Sequence, residues 1–141
     1  MPNTPVSVNE GVIAVERAST MGAEMRAEVL DLLGKLGLVV ELESLLFVGG
    51  RVGGCSPAFV ALGIEALADA AVKHGIPRAD AYRIVSQMML GTAKLQLETG
   101  EHPAAMKDAV CSPGGATIRG VAELEASGLR AALIRAVDAT L

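Results

Sequence analysis

Ser56-Pro57-Ala58-Phe59-Val60-Ala61-Leu62-Gly63-Ile64-Glu65-Ala66-Leu67-Ala68-Asp69-Ala70-Ala71-Val72-Lys73 is the stretch on which the fold turns. Serine followed by proline is a helix start signal, because the hydroxyl caps free N–H groups and proline needs no donor in the first turn. Gly75, just past His74, is the residue type that closes a helix in the left-handed region. Between these signals the only charges are Glu65, Asp69 and Lys73, spaced four apart, and nearly every other position is apolar or glycine. Such a helix has one narrow solvated stripe and requires cover on its other sides.

Towards the carboxyl end a second helix is expected from Pro77 to about Glu98, stopped by Thr99-Gly100. It carries no charge from Ile84 to Ala93 and includes the run Met88-Met89-Leu90. Shorter helices are expected from Pro103 to Val110, from Thr117 to Ala126 (closed by Ser127-Gly128) and from Leu129 to Ala139. Three short helices cannot cover two long apolar ones. The expectation is an intertwined, obligate homodimer or a higher oligomer; the alternative, a monomer with a crowded core, would leave a large apolar patch in water.

Towards the amino end, Phe47 to Gly54 carries four glycines in eight residues, which reads as a hinge or crossover and places a domain boundary there. Gly11 to Glu16 suits a strand, Ala23 to Leu36 a helix with apolar Met25, Val29, Leu32 and Leu33, and Leu38 to Leu42 a second strand. Two strands and one helix are marginal without a covering layer. Met1 to Pro5 reads as a loop, since each proline removes a donor and restrains the residue before it. The expected fold class is therefore mainly α: five helices preceded by a short strand-helix-strand unit.

Composition excludes several classes of function. Hydrophobic residues make up 51% of the 141 positions and aromatics 2%, which favours close-packed helices over a base-stacking surface. The net charge of -4 comes from the first 46 residues, where seven acids face three bases, while nine acids and nine bases cancel after them. No basic stripe is available to a nucleic acid. The longest uncharged stretch, Val52 to Ile64, falls short of the roughly 18 apolar residues of a membrane span. No secretory leader pattern is present. The two cysteines, Cys55 and Cys111, form neither a disulfide framework nor a metal site, so a cytoplasmic protein without a metal is expected.

Cys111-Ser112-Pro113-Gly114-Gly115-Ala116-Thr117 is the segment most suited to chemistry. Paired glycines let backbone N–H groups approach a ligand, and they lead into a helix N-terminus whose donors and dipole favour a carboxylate or phosphate. Thr117 can add a hydroxyl. Ser-Pro-Gly-Gly is equally ordinary turn chemistry, and the residues alone leave both readings open. Gly49-Gly50-Arg51-Val52-Gly53-Gly54 lacks the Gly-x-Gly-x-x-Gly order of a dinucleotide site, and no phosphate loop ending in Lys-Ser/Thr occurs. His74 suits a helix-end partner and His102 a solvated loop position better than a catalytic base. Cys55 and Cys111 read as packing residues. Glu101, Lys107 and Asp108 could recognise an imine beside a bound carboxylate, or form a solvated charge run.

Several motifs together resemble one family. Met1-Pro2-Asn3-Thr4-Pro5, Glu10-Gly11-Val12, Gly54-Cys55-Ser56-Pro57-Ala58-Phe59, Glu65-Ala66-Leu67-Ala68-Asp69-Ala70, Gly75-Ile76-Pro77-Arg78, Gly100-Glu101-His102-Pro103, Met106-Lys107-Asp108 and Cys111-Ser112-Pro113-Gly114-Gly115-Ala116-Thr117 resemble pyrroline-5-carboxylate reductase, in order and along the whole chain. The resemblance implies an enzyme that reduces 1-pyrroline-5-carboxylate to L-proline with NADPH or NADH, through a Rossmann domain followed by a helical dimerisation domain. By resemblance, residues 1–43 would then be the tail of the Rossmann domain and 44–141 the helical domain. By resemblance, Ser112, Gly114, Gly115, Ala116 and Thr117 hold the substrate carboxylate, with Thr117 also at the catalytic centre, and Pro2, Asn3 and Thr4 lie at the nicotinamide. One departure is Phe47-Val48-Gly49-Gly50, where the family usually has Asp-Ala-x-Thr. The cofactor-binding strands and their Gly-rich loop are absent from this sequence, so the chain alone is expected to be inactive and to bind no NADP or NAD tightly. The competing reading is a non-catalytic helical dimerisation or small-anion-binding module.

Overall fold

The computed structural model describes residues 1–43 and 46–141, the latter span with side chains from Gly49 onward. In order it contains strand β1 (Gly11–Glu16), helix α1 (Ala23–Gly34), strand β2 (Gly37–Leu42) and helices α2 (Leu46–Lys73), α3 (Arg78–Thr99), α4 (Pro103–Ala109), α5 (Ala116–Ala126) and α6 (Leu129–Asp138). This is the expected mainly α chain with a short strand-helix-strand unit. It divides into two compact units, one comprising Met1–Ala61 with Ile134–Leu141 and the other Leu62–Leu133. The expected domain start at Ser44 lies outside the described residues.

In the first unit β1 and β2 pair in parallel from Gly11↔Gly37 to Glu16↔Leu42, with α1 as the crossover. The other edge of β1 is taken by the amino-terminal segment: the Ala14 N–H donates to the Met1 carbonyl (3.0 Å), the Met1 nitrogen donates to the Ala14 carbonyl (2.6 Å), and Pro2 bridges Ile13. Ile13 and Ala14 are thereby buried. Arg26 of α1 donates to the Glu16 carbonyl (3.2 Å) and to the Glu41 carboxylate (2.6 Å), tying the carboxyl ends of both strands to the crossover helix. The expectation that Met1 to Pro5 is loop throughout needs correction, because a 3-10 helix runs from Thr4 to Val8. Proline is tolerated there because the first turn leaves its missing donor unneeded.

The Gly-rich segment also departs from expectation. Phe47 to Gly54 is no hinge, and Ser56-Pro57 starts no helix: both lie inside the 28-residue α2, with Pro57 in its interior. The glycines serve close approach instead. A Cβ at Gly49 would overlap Leu42, one at Gly50 would overlap Met1, and one at Gly53 would touch Val12 at 3.5 Å. Positions 49, 50 and 53 share one face of a helix, and this bare face lets α2 lie against β1, the end of β2 and the amino-terminal segment. Turn composition and a bare helix face look alike in a sequence, since both are written in glycine.

In the second unit the later turns of α2 pack on α3. Ala68 and Ala81 are fully buried and Val85 is 6% exposed, with Ile64, Ala71, Val72 and Met89 around them. Gly75 takes the expected left-handed conformation (φ +95°) between the helices. Arg78 spans the turn, pairing with Asp69 at 2.5 Å and lying 5.4 Å over the Tyr82 ring. The hydrogen bond that Arg78 donates to Asp69, together with the charge of that carboxylate, raises the Arg78 pKa.

The core is small for so apolar a sequence. Ile84, Met88, Leu90, Leu95 and Leu97 of α3 are all exposed, and Leu97 shows 73% of its surface. The chain exposes 9989 Å² in all, whereas even two separate compact bodies, each of half the 14.4 kDa mass, would together expose only about 8,200 Å². The excess of roughly 1,700 Å² per chain is the scale of a large, permanent interface. With α2 continuous, Gly49–Lys73 is long and apolar enough to cross a membrane by length and composition, so the short uncharged run no longer argues against a span.

Candidate functional site

The loop before α5 is built by its own residue types. Pro113 fixes φ at the second position of a turn, and Gly114 occupies the third at φ +67°, a conformation that a side chain disfavours. The turn closes with the Gly115 N–H donating to the Ser112 carbonyl at 3.0 Å. Gly115 is extended (φ -69°, ψ 171°) and stands as the N-cap of α5 without a side-chain cap. A Cβ at Gly115 would overlap the Ser112 Oγ, an exposed hydroxyl free to turn aside, and would lie 3.1 Å from the Ser112 carbonyl.

Consequently α5 begins with the N–H groups of Ala116, Thr117 and Ile118, which no preceding helical carbonyl can accept. No acidic residue occurs in its first turn, so no carboxylate at that end of the helix opposes a negative ligand. Ser112, Gly114, Ala116 and Thr117 are exposed, and Gly115 is half-buried. The accessible start of α5 thus offers backbone donors and the positive end of a helix, with Thr117 in its first turn, an arrangement able to hold a carboxylate.

The flanking α4 is held by His102, whose Nδ1 accepts from the Ala104 N–H at 3.2 Å. His102 is thus a cap rather than the solvated loop residue expected, and the residue type is unusual enough at an N-cap to escape a sequence reading. Lys107 pairs with Asp108 at 2.6 Å, and that hydrogen bond, ahead of the carboxylate charge, raises the lysine pKa. Cys111 and Cys55 are free and half-buried. Among the described residues no cluster of three or more His, Cys, Asp or Glu could hold a metal.

The residues expected at a nicotinamide, Pro2, Asn3 and Thr4, belong to the first unit. Asn3 is the most engaged of them: its Oδ1 accepts from the Val12 N–H (2.9 Å) and its Nδ2 donates to the Gly53 carbonyl (2.8 Å). The five loop residues come together as one turn and helix start in the second unit. Between β1 and α1 the sequence reads Arg17-Ala18-Ser19-Thr20-Met21-Gly22, which lacks the glycines that admit a pyrophosphate. The residues present therefore do not fit a whole dinucleotide.

Comparison with known proteins agrees with the helical fold just described. The family model for pyrroline-5-carboxylate reductase dimerisation matches residues 43–141. The chain is 46% identical to pyrroline-5-carboxylate reductase of Treponema pallidum (strain Nichols), covering 100% of this chain and 54% of that protein. It is 49% identical to that of Escherichia coli (strain K12), covering 97% and 51%. The solved structure of Plasmodium falciparum pyrroline carboxylate reductase with NADP bound superimposes with a TM-score of 0.90 at 30% identity, covering 99% of this chain and 58% of that one. The chain thus spans about half the length of the curated relatives it matches.

Proposed function

The chain belongs to the pyrroline-5-carboxylate reductase dimerisation family, and from that premise we propose that it supplies two parts of a complete reductase. One is the subunit interface, formed by the apolar faces of α2 and α3. The other is the cradle for the substrate carboxylate, formed by Ser112, Gly114, Gly115, Ala116 and Thr117. The overall reaction is the NAD(P)H-dependent reduction of 1-pyrroline-5-carboxylate to L-proline, in a cytoplasmic homodimer or higher oligomer. Residues 1–43 are the tail of the nucleotide-binding domain and 44–141 the helical domain, a division supported by the first matched residue at 43.

In this reading the chain's own residues bind and orient. The first N–H groups of α5 and the Thr117 hydroxyl fix the carboxylate, and fixing it sets the ring so that one face of the imine carbon is presented for attack. Thr117 is the catalytic candidate by resemblance to the family's loop, and it lies within the exposed start of α5. Pro2, Asn3 and Thr4 are proposed to border the nicotinamide. We read α2 as an interface helix and not a membrane span, on the strength of its Glu65, Asp69 and Lys73 stripe and the Asp69–Arg78 pair.

The observation that carries the proposal is the uncapped, acid-free start of α5 behind the Ser112–Gly115 turn. Titration of L-proline into isotope-labelled chain tests it: the amide signals of Gly114, Gly115, Ala116 and Thr117 should move more than those of any other segment. Lys73→Ala, on the charged stripe, should leave that response unchanged. A response centred elsewhere, or none at high millimolar proline, overturns the site and leaves a helical dimerisation module without redox chemistry.

A further inference from the structure

Pro57 stands inside α2 and has no N–H, so the carbonyl four residues earlier, that of Gly53, is left without its helical donor. A half-buried carbonyl in that position needs another partner. The Asn3 Nδ2 reaches it at 2.8 Å, while the other end of the same amide, Oδ1, accepts from the Val12 N–H of β1 at 2.9 Å. Asn3 is followed by Thr4-Pro5, which opens the 3-10 helix, and preceded by Met1-Pro2, which lies along β1. A single side chain therefore joins three elements of the first unit, and it does so at the one carbonyl of α2 that proline has released.

We propose that Asn3 is a clip residue: its amide replaces the helical hydrogen bond that Pro57 cannot make and so locks the segment Met1–Thr4 to α2 and to β1. An amide is the side chain suited to this, since it donates from one end and accepts at the other. The clip stands independently of the reductase reading. One consequence does rest on that reading: the segment proposed to border the nicotinamide is held to α2 at Gly53, and Asn3 acts through backbone placement, its side chain being committed to protein.

A double-mutant cycle on the full chain tests the clip, using urea unfolding at fixed protein concentration. Asn3→Asp is isosteric and keeps the acceptor for Val12, but it sets an acceptor against the Gly53 carbonyl. It should lower the folded-to-unfolded ratio about tenfold or more. Pro57→Ala returns a backbone N–H to Gly53, so on that background Asn3→Asp should lower the ratio no more than about twofold. Hydrogen exchange adds a second readout: the Val12 amide should stay protected in Asn3→Asp and lose protection in Asn3→Ala. If Asn3→Asp alone fails to fold, folding of Asn3→Asp/Pro57→Ala supports the clip and failure of both overturns it. Equal effects of Asn3→Asp with and without Pro57, or an unprotected Val12 amide in the unsubstituted chain, also overturn it. Because proline binding at Gly114–Thr117 does not enter these measurements, failure of the clip and failure of the reductase reading remain distinguishable.

Discussion

Replacing Gly114 and Gly115 one at a time separates two demands that a sequence cannot tell apart. Gly114 sits at φ +67° with nothing within 4 Å of where a Cβ would project. Gly114→Ala therefore meets no clash, and its cost is the left-handed backbone alone, about 1–2 kcal/mol. Gly115 is extended at φ -69°, a conformation any residue adopts. There a Cβ would overlap the Ser112 Oγ and lie 3.1 Å from the Ser112 carbonyl. Ser112 is exposed and its hydroxyl can turn away, so Gly115→Ala should cost only about 0.5 kcal/mol. It also places a methyl group where a carboxylate would approach. In urea unfolding at fixed concentration, Gly114→Ala should be clearly the less stable of the two. In proline titrations followed by amide signals the order reverses, with Gly114→Ala keeping its response and Gly115→Ala weakening it. Gly115→Val should abolish it. If Gly115→Val binds proline as the unsubstituted chain does, the loop is only a turn and the substrate-site argument fails.

Four further outcomes are expected. Val85→Ala, at the buried contact of α2 with α3, should lose about 2 kcal/mol in urea unfolding, two methyl-sized groups plus a small cavity. Ile84→Glu on the exposed face of α3 should leave helix content intact at high protein concentration and weaken self-association at least 100-fold in dilution experiments, because each dimer would lose two buried isoleucines at about 1.5–3 kcal/mol apiece. The raised Lys107 pKa gives a sign for pH: the Lys107–Asp108 pair contributes fully below the ordinary lysine value of 10.5 and is lost as pH rises through the folded value, so Lys107→Met should narrow the loss of α4 amide protection between neutral and strongly alkaline pH. NADPH titrated against the chain should give no saturable fluorescence change in the micromolar range usual for enzyme cofactors.

Much of this was legible in residues. Gly75, Gly100 and Gly128 close helices in the left-handed region where the sequence places stops, because that conformation disfavours any residue with a Cβ. The strand Gly11–Glu16 and the turn before α5 were readable for similar local reasons. What failed was non-local. Gly49, Gly50 and Gly53 look like a hinge until Leu42, Met1 and Val12 are found against them. Ser56-Pro57 looks like a helix start until Asn3, fifty residues away, is seen holding the Gly53 carbonyl. The Rossmann tail, the carboxylate cradle and the nicotinamide side came from resemblance to a family, since the residues by themselves left the loop open between a turn and a site.

A second copy of this chain is proposed to cover the apolar faces of α2 and α3. Sedimentation equilibrium across a dilution series, with circular dichroism on the same samples, tests it most directly. The prediction is a dimer or higher oligomer that persists to nanomolar concentration and loses helicity as it dissociates, as expected when the excess of roughly 1,700 Å² per chain is buried between copies. A monomer that keeps its full helix signal at nanomolar concentration would contradict it.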